Sequence, residues 1–143
     1  MTLVEQLTEI YLHEEDWHKE KLSGEEADRY HETMLSNGNI ITVSDGDILC
    51  GYVEYWRVSF EQFGRIICGE PFSSIHENVQ NGQIAYLANT YIRPEYRHGK
   101  VYKLLRARFL EVNKLCTHFC GEARRLPTAP LKVFKRNQVL ERV

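Results

Sequence analysis

Residues 91–109, YIRPEYRHGKVYKLLRARF, combine features that suit the binding of an anion. An apolar segment runs into Pro94, a short basic turn with one glycine follows, and the next residues predict an amphipathic helix. The first turn of a helix leaves about four backbone N–H groups without intrahelical partners, and the helix dipole adds positive character there. The amides of residues 98–102 are therefore predicted to hold a phosphate or pyrophosphate, and Gly99 lets the backbone approach it closely.

The charge distribution favours an anionic ligand at the same place. Arg97, His98 and Lys100 add basic side chains to the turn. The net charge is −2, with acidic residues concentrated in 1–32 and basic residues in 93–142. The negative total argues against general nucleic-acid binding, whereas the asymmetry suits an anion in the C-terminal half. Solvated helix faces that merely differ in sign are the alternative explanation.

The periodicity of the chain predicts an α+β protein with a mixed sheet in one domain, residues 1–143. Two helices come first, the second opened by a capping box at Ser23–Glu26 and ended by Asn37-Gly38. A hairpin, a long connection, a strand and the helix of the basic turn follow. The predicted helices are 2–15, a second ending near 35, 100–115 and a short candidate at 131–136. The predicted strands are 39–43, 48–59, 83–92 and a short candidate at 117–123. Residues 65–68 could extend a strand, and 139–143 is a last strand or a frayed tail.

The stretch IRPEYRHGKVYKLL resembles the acetyl-CoA binding segment of the GNAT N-acetyltransferase superfamily. In that family a strand ending V-x-P-E-Y-R precedes a turn Arg/Gln-x-x-Gly-x-Gly/Ala and a helix with paired leucines. Ile92 and residues 94–97 match the strand end, Gly99 matches the first turn glycine, and Leu104-Leu105 match the pair. The resemblance implies a GNAT-like fold, a central mixed, mostly antiparallel sheet flanked by helices, with acetyl-CoA as co-substrate. It assigns cofactor binding to Ile92, Arg97, His98, Gly99, Lys100, Val101 and Tyr102.

The sequence also departs from the family pattern. The turn is one residue short, and Val101 stands where the family has a second small residue. A late family helix of the form Φ-Tyr-x-x-x-Gly-Phe is matched in register by residues 133–139, but Phe134 replaces the Tyr that protonates the leaving thiolate. The family's usual first and last strands are not evident. We therefore expect a divergent, trimmed member in which a homodimer completes the sheet.

Acetyl transfer to an amine needs a base, a donor for the thioester carbonyl and an acid for the leaving thiolate. The resemblance assigns the carbonyl donor to the backbone N–H of Ile92, where the family's motif strand splays. Glu54 is the predicted base, because it lies mid-strand between Tyr52 and Trp56, and apolar surroundings raise the pKa of a carboxyl group. A solvent-facing position on an open side of the sheet is the alternative.

Other residues remain candidates for parts of this chemistry. The rival bases are His76, Glu77 and Glu122, and the candidate acids are Tyr91 and Tyr86. Asn89 and Thr90 could orient a substrate, and an acceptor pocket could be lined by Trp56, Phe60 and Phe72. Plain packing in the core is the alternative for the tyrosines and for this aromatic set.

The composition excludes several other classes of protein. Hydrophobic residues make up 43% and charged residues 27%, which is typical of a soluble globular domain, and no run approaches the roughly 20 apolar residues of a membrane span. The acidic N-terminal segment does not resemble a secretory signal, so a cytoplasmic location is expected. Cys50, Cys68, Cys116 and Cys120 form no CxxC pair, and no metal site is predicted.

Three functions stay open at this point. The first is an acyl-CoA-dependent N-acyltransferase acting on an amine of a small molecule or peptide. The second is a catalytically impaired protein of the same fold that binds CoA or another ligand, or serves as an interaction module. The third, a transferase acting on tRNA, is disfavoured by the net charge of −2.

Overall fold

The computed structural model describes residues 1–14, 22–68, 82–121 and 132–135, and every structural statement below refers to these residues. Their contacts divide the chain into two compact units. The first unit contains Met1–Val53 and Tyr91–Arg108, and the second contains Glu54–Thr90 and Phe109–Val143. Two of the strands belong partly to one unit and partly to the other, and the units are taken in turn.

The first unit begins with two helices that pack against each other. Helix α1 spans Leu3–His13 and helix α2 spans Gly24–Ser36. Each has a side-chain N-cap, as the sequence predicts for α2: Thr2 Oγ1 accepts from the Glu5 amide, and Ser23 and Glu26 form the predicted capping box. Apolar side chains between them are almost fully buried, namely Leu7, Ile10, Ala27 and Met34.

Five strands form one sheet in the order β1-β2-β3-β4-β5. The hairpin of β1 and β2 turns at Gly46, whose φ is 60°. β3 pairs in parallel with β4, and β4 pairs antiparallel with β5, so the predicted mixed sheet and α+β class are confirmed. The strands are β1 Ile40–Asp45, β2 Ile48–Val58, β3 Ile84–Ile92, β4 His118–Gly121 and β5 Lys132–Lys135.

The end of β3 is locked to the start of β2 in the first unit. The Arg93 amide donates to the Cys50 carbonyl at 2.8 Å, and the rings of Tyr52 and Tyr91 lie 6.3 Å apart. From the first pair to the second, the residue number rises along β2 and falls along β3. The two strands are therefore antiparallel, with Gly51 opposite Ile92. The register fixes the direction of every backbone group at the strand end.

The possible strand extension at 65–68 is not formed, because the second unit has a helix there, α3 at Phe60–Ile67. Ser59 and Gln62 open it reciprocally: Ser59 Oγ accepts from the Gln62 amide at 3.1 Å, and the Ser59 amide donates to Gln62 Oε1 at 2.8 Å. This is a capping box, and the Ser-x-x-Gln spacing that predicts it is present in the sequence.

The predicted helix at 131–136 is also wrong. Lys132–Lys135 forms β5, which pairs with β4 through Phe119 and Phe134. Val133 and Phe134 at the centre of this segment are a β-branched and an aromatic residue, types that favour strands. Phe134 is therefore on a strand, not on the late helix that the family signature implied, and the predicted strand 139–143 lies outside the described residues.

The core of the second unit lies where helix α4, Lys100–Val112, ends. Ala85, Leu110, Cys116 and Phe119 form a buried cluster against which Phe109 packs edge-on, 5.8 Å from the ring of Phe119. The helix ends three residues before the predicted limit of 115. All four cysteines are free thiols, and Cys68 is the exposed one among them.

Candidate functional site

The predicted anion-binding turn joins β3 to α4 in the first unit. Pro94 ends the strand, because it has no N–H to donate, and opens a single 3-10 turn at Pro94–Tyr96. The Tyr96 amide closes the turn on the Arg93 carbonyl at 2.9 Å. The Tyr96 hydroxyl reaches Asp45 Oδ2 at 3.3 Å, which ties the turn to the β1–β2 hairpin.

The N-terminus of α4 differs from those of α1, α2 and α3, because the residue before it has no side chain to cap it. Thr2, Ser23 and Ser59 each accept from a first-turn amide of α1, α2 or α3, whereas Gly99 precedes α4 and has no side chain to offer. Within the described ranges, the amides of residues 98–102 have no hydrogen-bond acceptor. These N–H groups are therefore available to a ligand, as the sequence predicts.

Gly99 gives the turn its shape. Its φ is 98°, a conformation that side chains rarely adopt, and its carbonyl accepts from the Lys103 amide at 3.0 Å to begin the helical ladder. A Cβ built on Gly99 would meet nothing within 4 Å, so the space beside the turn is open. The structure thus leaves room for a ligand next to the uncapped amides.

The side chains of the turn separate into two groups. Arg97, His98 and Lys100 are exposed, and Tyr102 is half exposed. Val101, the residue that replaces a small one in the family pattern, is 5% exposed and packs into the core. Its burial keeps the isopropyl group off the exposed side of the turn.

The backbone of Ile92 faces away from β2. Because the Arg93 amide bonds to Cys50 and backbone groups alternate along a strand, the N–H and C=O of Ile92 point toward the opposite edge of β3. This is the direction needed if the Ile92 amide is to polarise a ligand carbonyl. The Ile92 carbonyl accepts a hydrogen bond from Arg97 Nε at 2.6 Å.

Two further features fix the strand end. Arg93 Nε donates to the Leu49 carbonyl at 2.6 Å, which clips the start of the turn to β2. Gly51 lets β2 and β3 approach so closely that a Cβ there would lie 2.8 Å from the Tyr91 carbonyl oxygen. Sequence analysis overlooked both residues, although a glycine inside a strand is itself a signal of close backbone approach.

Tyr91, the predicted acid, is half-buried at this strand end. Burial raises the pKa of its phenol above the ordinary value, and Glu14 adds to the effect, whereas Arg97 and Arg93 oppose it. The phenol therefore stays protonated at neutral pH and can act as a proton donor. The rival acid, Tyr86, is 4% exposed in the second unit.

Glu54, the predicted base, lies on β2 in the second unit and is half-buried. Tyr52 and Trp56, its neighbours on the same strand face, are buried. The carboxyl group is therefore not on an open, solvated face of the strand. The structure brings residues 91–102 together in one segment of the first unit and places Glu54 in the other.

The remaining candidates divide by exposure. Asn89 is buried, Thr90 is exposed, and Trp56 is buried. Phe60 is 55% exposed and packs edge-on against His118 with ring centroids 5.7 Å apart. Four candidates lie outside the described residues: Phe72, His76, Glu77 and Glu122.

Neither a cluster of metal-ligating side chains nor a membrane-spanning helix occurs in the described residues. No group of three or more His, Cys, Asp or Glu side chains there is placed to hold a metal ion. None of the helices in the described ranges is both long and apolar enough to cross a membrane.

Comparison with known proteins gives a structural likeness without a sequence relative. No family model and no curated protein matches the sequence. Among solved structures, a similar one is described as GphF GNAT-like decarboxylase in complex with isobutyryl-CoA, with a TM-score of 0.50 and 15% identity. The match covers 71% of this chain and 52% of that one, so the chain spans about half the length of that protein. The likeness confirms the predicted GNAT-like fold.

Proposed function

We propose that this chain binds an acyl-CoA and transfers the acyl group, acetyl in the first instance, to an amine of a small molecule or peptide. The observation that carries the proposal is the uncapped N-terminus of α4 behind a basic turn, at the place where the sequence resembles the acetyl-CoA segment of the GNAT family. The isobutyryl-CoA bound by the structural neighbour supports a CoA thioester as the ligand of this fold.

The turn fits the pyrophosphate of CoA. The amides of residues 98–102 would donate to its oxygens, and Gly99 leaves the space they need. His98 and Lys100 would add positive charge from exposed positions. Val101 would not obstruct these contacts, because its side chain is buried.

In the proposed reaction the thioester contributes an activated acyl carbon, and the chain's own groups would supply the remaining chemistry. The Ile92 amide would stabilise the negative charge that develops on the carbonyl oxygen. Glu54 would take a proton from the attacking amine as the new C–N bond forms. As the C–S bond breaks, Tyr91 would give its phenolic proton to the sulfur.

Replacing Glu54 by glutamine tests the base. E54Q should lower kcat on the order of 100-fold, because a positioned general base contributes roughly that factor or more. The acetyl-CoA dissociation constant should not change, because Glu54 is outside the 91–102 segment. The measurement is release of free thiol from acetyl-CoA with a panel of polyamines, aminoglycosides and peptides.

Glu61→Gln is the matched control for this experiment, since Glu61 is an exposed carboxylate in the first turn of α3. It should keep wild-type turnover. Wild-type turnover in E54Q as well would remove Glu54 from the mechanism and leave the rival bases to be tested.

A binding protein without transferase activity is the second candidate, favoured by the departure of the turn from the family pattern at Val101. It predicts saturable acyl-CoA binding with no amine-dependent release of thiol. Thiol retention with loss of carbon dioxide from a carboxylated acyl-CoA would instead indicate the kind of reaction named for the structural neighbour, a decarboxylase.

A further inference from the structure

The side chain of Arg97 is turned back onto the end of β3. Its Nε donates to the Ile92 carbonyl at 2.6 Å, and its Cζ lies 5.4 Å from the centre of the Tyr91 ring. Although Arg97 is exposed, these two contacts fix the plane of the guanidinium. The Arg97 guanidinium therefore lies at the strand end and does not extend along the turn toward the amides of residues 98–102.

The hydrogen bond also places the guanidinium on the functional edge of the strand. The N–H and C=O of one strand residue point to the same edge, so a group bound to the Ile92 carbonyl lies beside the Ile92 amide. Within the described part of the chain, the two terminal nitrogens of Arg97 have no partner. They remain free to face negative charge that develops next to that amide.

Arg97 is one of four charged groups that act on the Tyr91 phenol. Besides burial, Glu14 and Glu95 raise the pKa of Tyr91, whereas Arg97 and Arg93 lower it, Arg97 more strongly. Arg93 is held by the Leu49 carbonyl on β2. Arg97 is thus the cation that lowers the pKa of Tyr91 most.

We propose that Arg97 is a positioning residue that holds the Ile92 carbonyl and the Tyr91 ring for chemistry at the thioester, and is not a pyrophosphate ligand. The proposal rests on the proposed acyltransferase function and deepens it. It divides the basic turn into two parts: Arg97 serves the reacting centre, whereas His98 and Lys100 serve the phosphate groups.

The variants Arg97→Gln and Lys100→Gln separate the two tasks. R97Q should change the CoA dissociation constant by less than about threefold, whereas K100Q should weaken binding roughly tenfold, the factor expected for one lost contact to a charged group. R97Q should lower kcat on the order of 100-fold with little change in KM. R97K should restore part of that rate, because lysine keeps the charge but not the planar contact.

A readout without CoA tests the contact itself. Tyrosine Cζ carbons labelled with ¹³C are titrated by NMR, and the Tyr91 signal is identified as the one missing in Tyr91→Phe. In R97Q the pKa of Tyr91 should move upward, because its main cationic neighbour is gone, whereas in K100Q it should stay at the wild-type value.

The outcomes distinguish this inference from the proposed function. An unchanged Tyr91 titration in R97Q, or a loss of CoA affinity equal to that of K100Q, would overturn the positioning role while wild-type CoA binding stands. If the wild type binds no CoA, the proposed function is contradicted, and so is the role of Arg97 at the thioester. A shifted Tyr91 titration with intact affinity and a reduced kcat supports the inference.

Discussion

The variant Gly51→Ala should lose about 1–3 kcal/mol of folding stability, the range for overpacked positions. A Cβ at Gly51 would lie 2.8 Å from the Tyr91 carbonyl oxygen and 3.3 Å from Ile92 Cα. Both are backbone atoms of the paired strand, so no side-chain rotation relieves the contact. The measurement is the free energy of unfolding from urea denaturation.

The same change should impair function, because β3 must move at the residues that would polarise the thioester and protonate the thiolate. We expect kcat to fall more than the affinity for acetyl-CoA, since the amides of residues 98–102 lie beyond the strand. Gly24→Ala is the matched control: its Cβ would meet nothing within 4 Å, and it should be neutral or stabilising by up to about 1 kcal/mol. Equal stability of the two variants would contradict the close approach at Gly51.

Acid should destabilise the protein through His31, which is buried between α1 and α2. His31 is 4% exposed, and its ring packs edge-on against Tyr30. The distance from its Nδ1 to Thr8 Oγ1 is 3.0 Å. Burial lowers the pKa of His31 from 6.5 to about 4, and the nearby Asp28 opposes this only in part. The folded protein therefore holds this imidazole neutral at a pH where the unfolded chain protonates it.

The direction in which folding stability changes with pH follows from the lowered pKa of His31. Stability from the neutral imidazole is complete above pH 6.5 and is lost as the pH falls toward 4, because the unfolded state then binds the extra proton. The loss amounts to at most about 3 kcal/mol across this window. Thermal unfolding measured from pH 7 to pH 4 should show a steadily falling Tm.

The variant His31→Phe isolates this contribution, because phenylalanine fills the site and does not titrate. Its Tm should fall less between pH 6.5 and pH 4 than that of the wild type, even if it is lower at pH 7. The same pH slope in H31F and the wild type would show that another group causes the loss.

Local signals in the sequence were enough to predict most of the fold. The capping box at Ser23, the glycine turn at Gly46 and the proline at the end of β3 each fix a boundary by their own chemistry, and the structure has all three. The Ser59-x-x-Gln62 box is an equally local signal, and α3 was mispredicted because it was overlooked. The strand at 132–135 was mispredicted for another reason: its pairing with β4 is a long-range contact.

The candidate site was predictable in its residues but not in its geometry. The sequence places Arg97, His98 and Lys100 on one basic turn, yet it does not reveal that Arg97 bends back to Ile92. Likewise, Val101 reads as an obstruction until its burial is known. Both facts depend on side-chain direction, which the register of β2 against β3 and the packing of α4 decide.

The central claim, that the β3–α4 turn binds acyl-CoA, is tested most directly by calorimetric titration of acetyl-CoA into the wild type and two variants. Lys100→Glu reverses a charge at the uncapped helix, and Lys114→Glu makes the same reversal at an exposed lysine beyond the end of α4. We predict binding at one site in the wild type and in K114E, and an affinity at least about tenfold lower in K100E. At an acetyl-CoA concentration of 100 times the dissociation constant, the wild type should be stabilised against unfolding by about 2.7 kcal/mol. Absence of binding at millimolar acetyl-CoA, or equal binding by all three proteins, would contradict the claim.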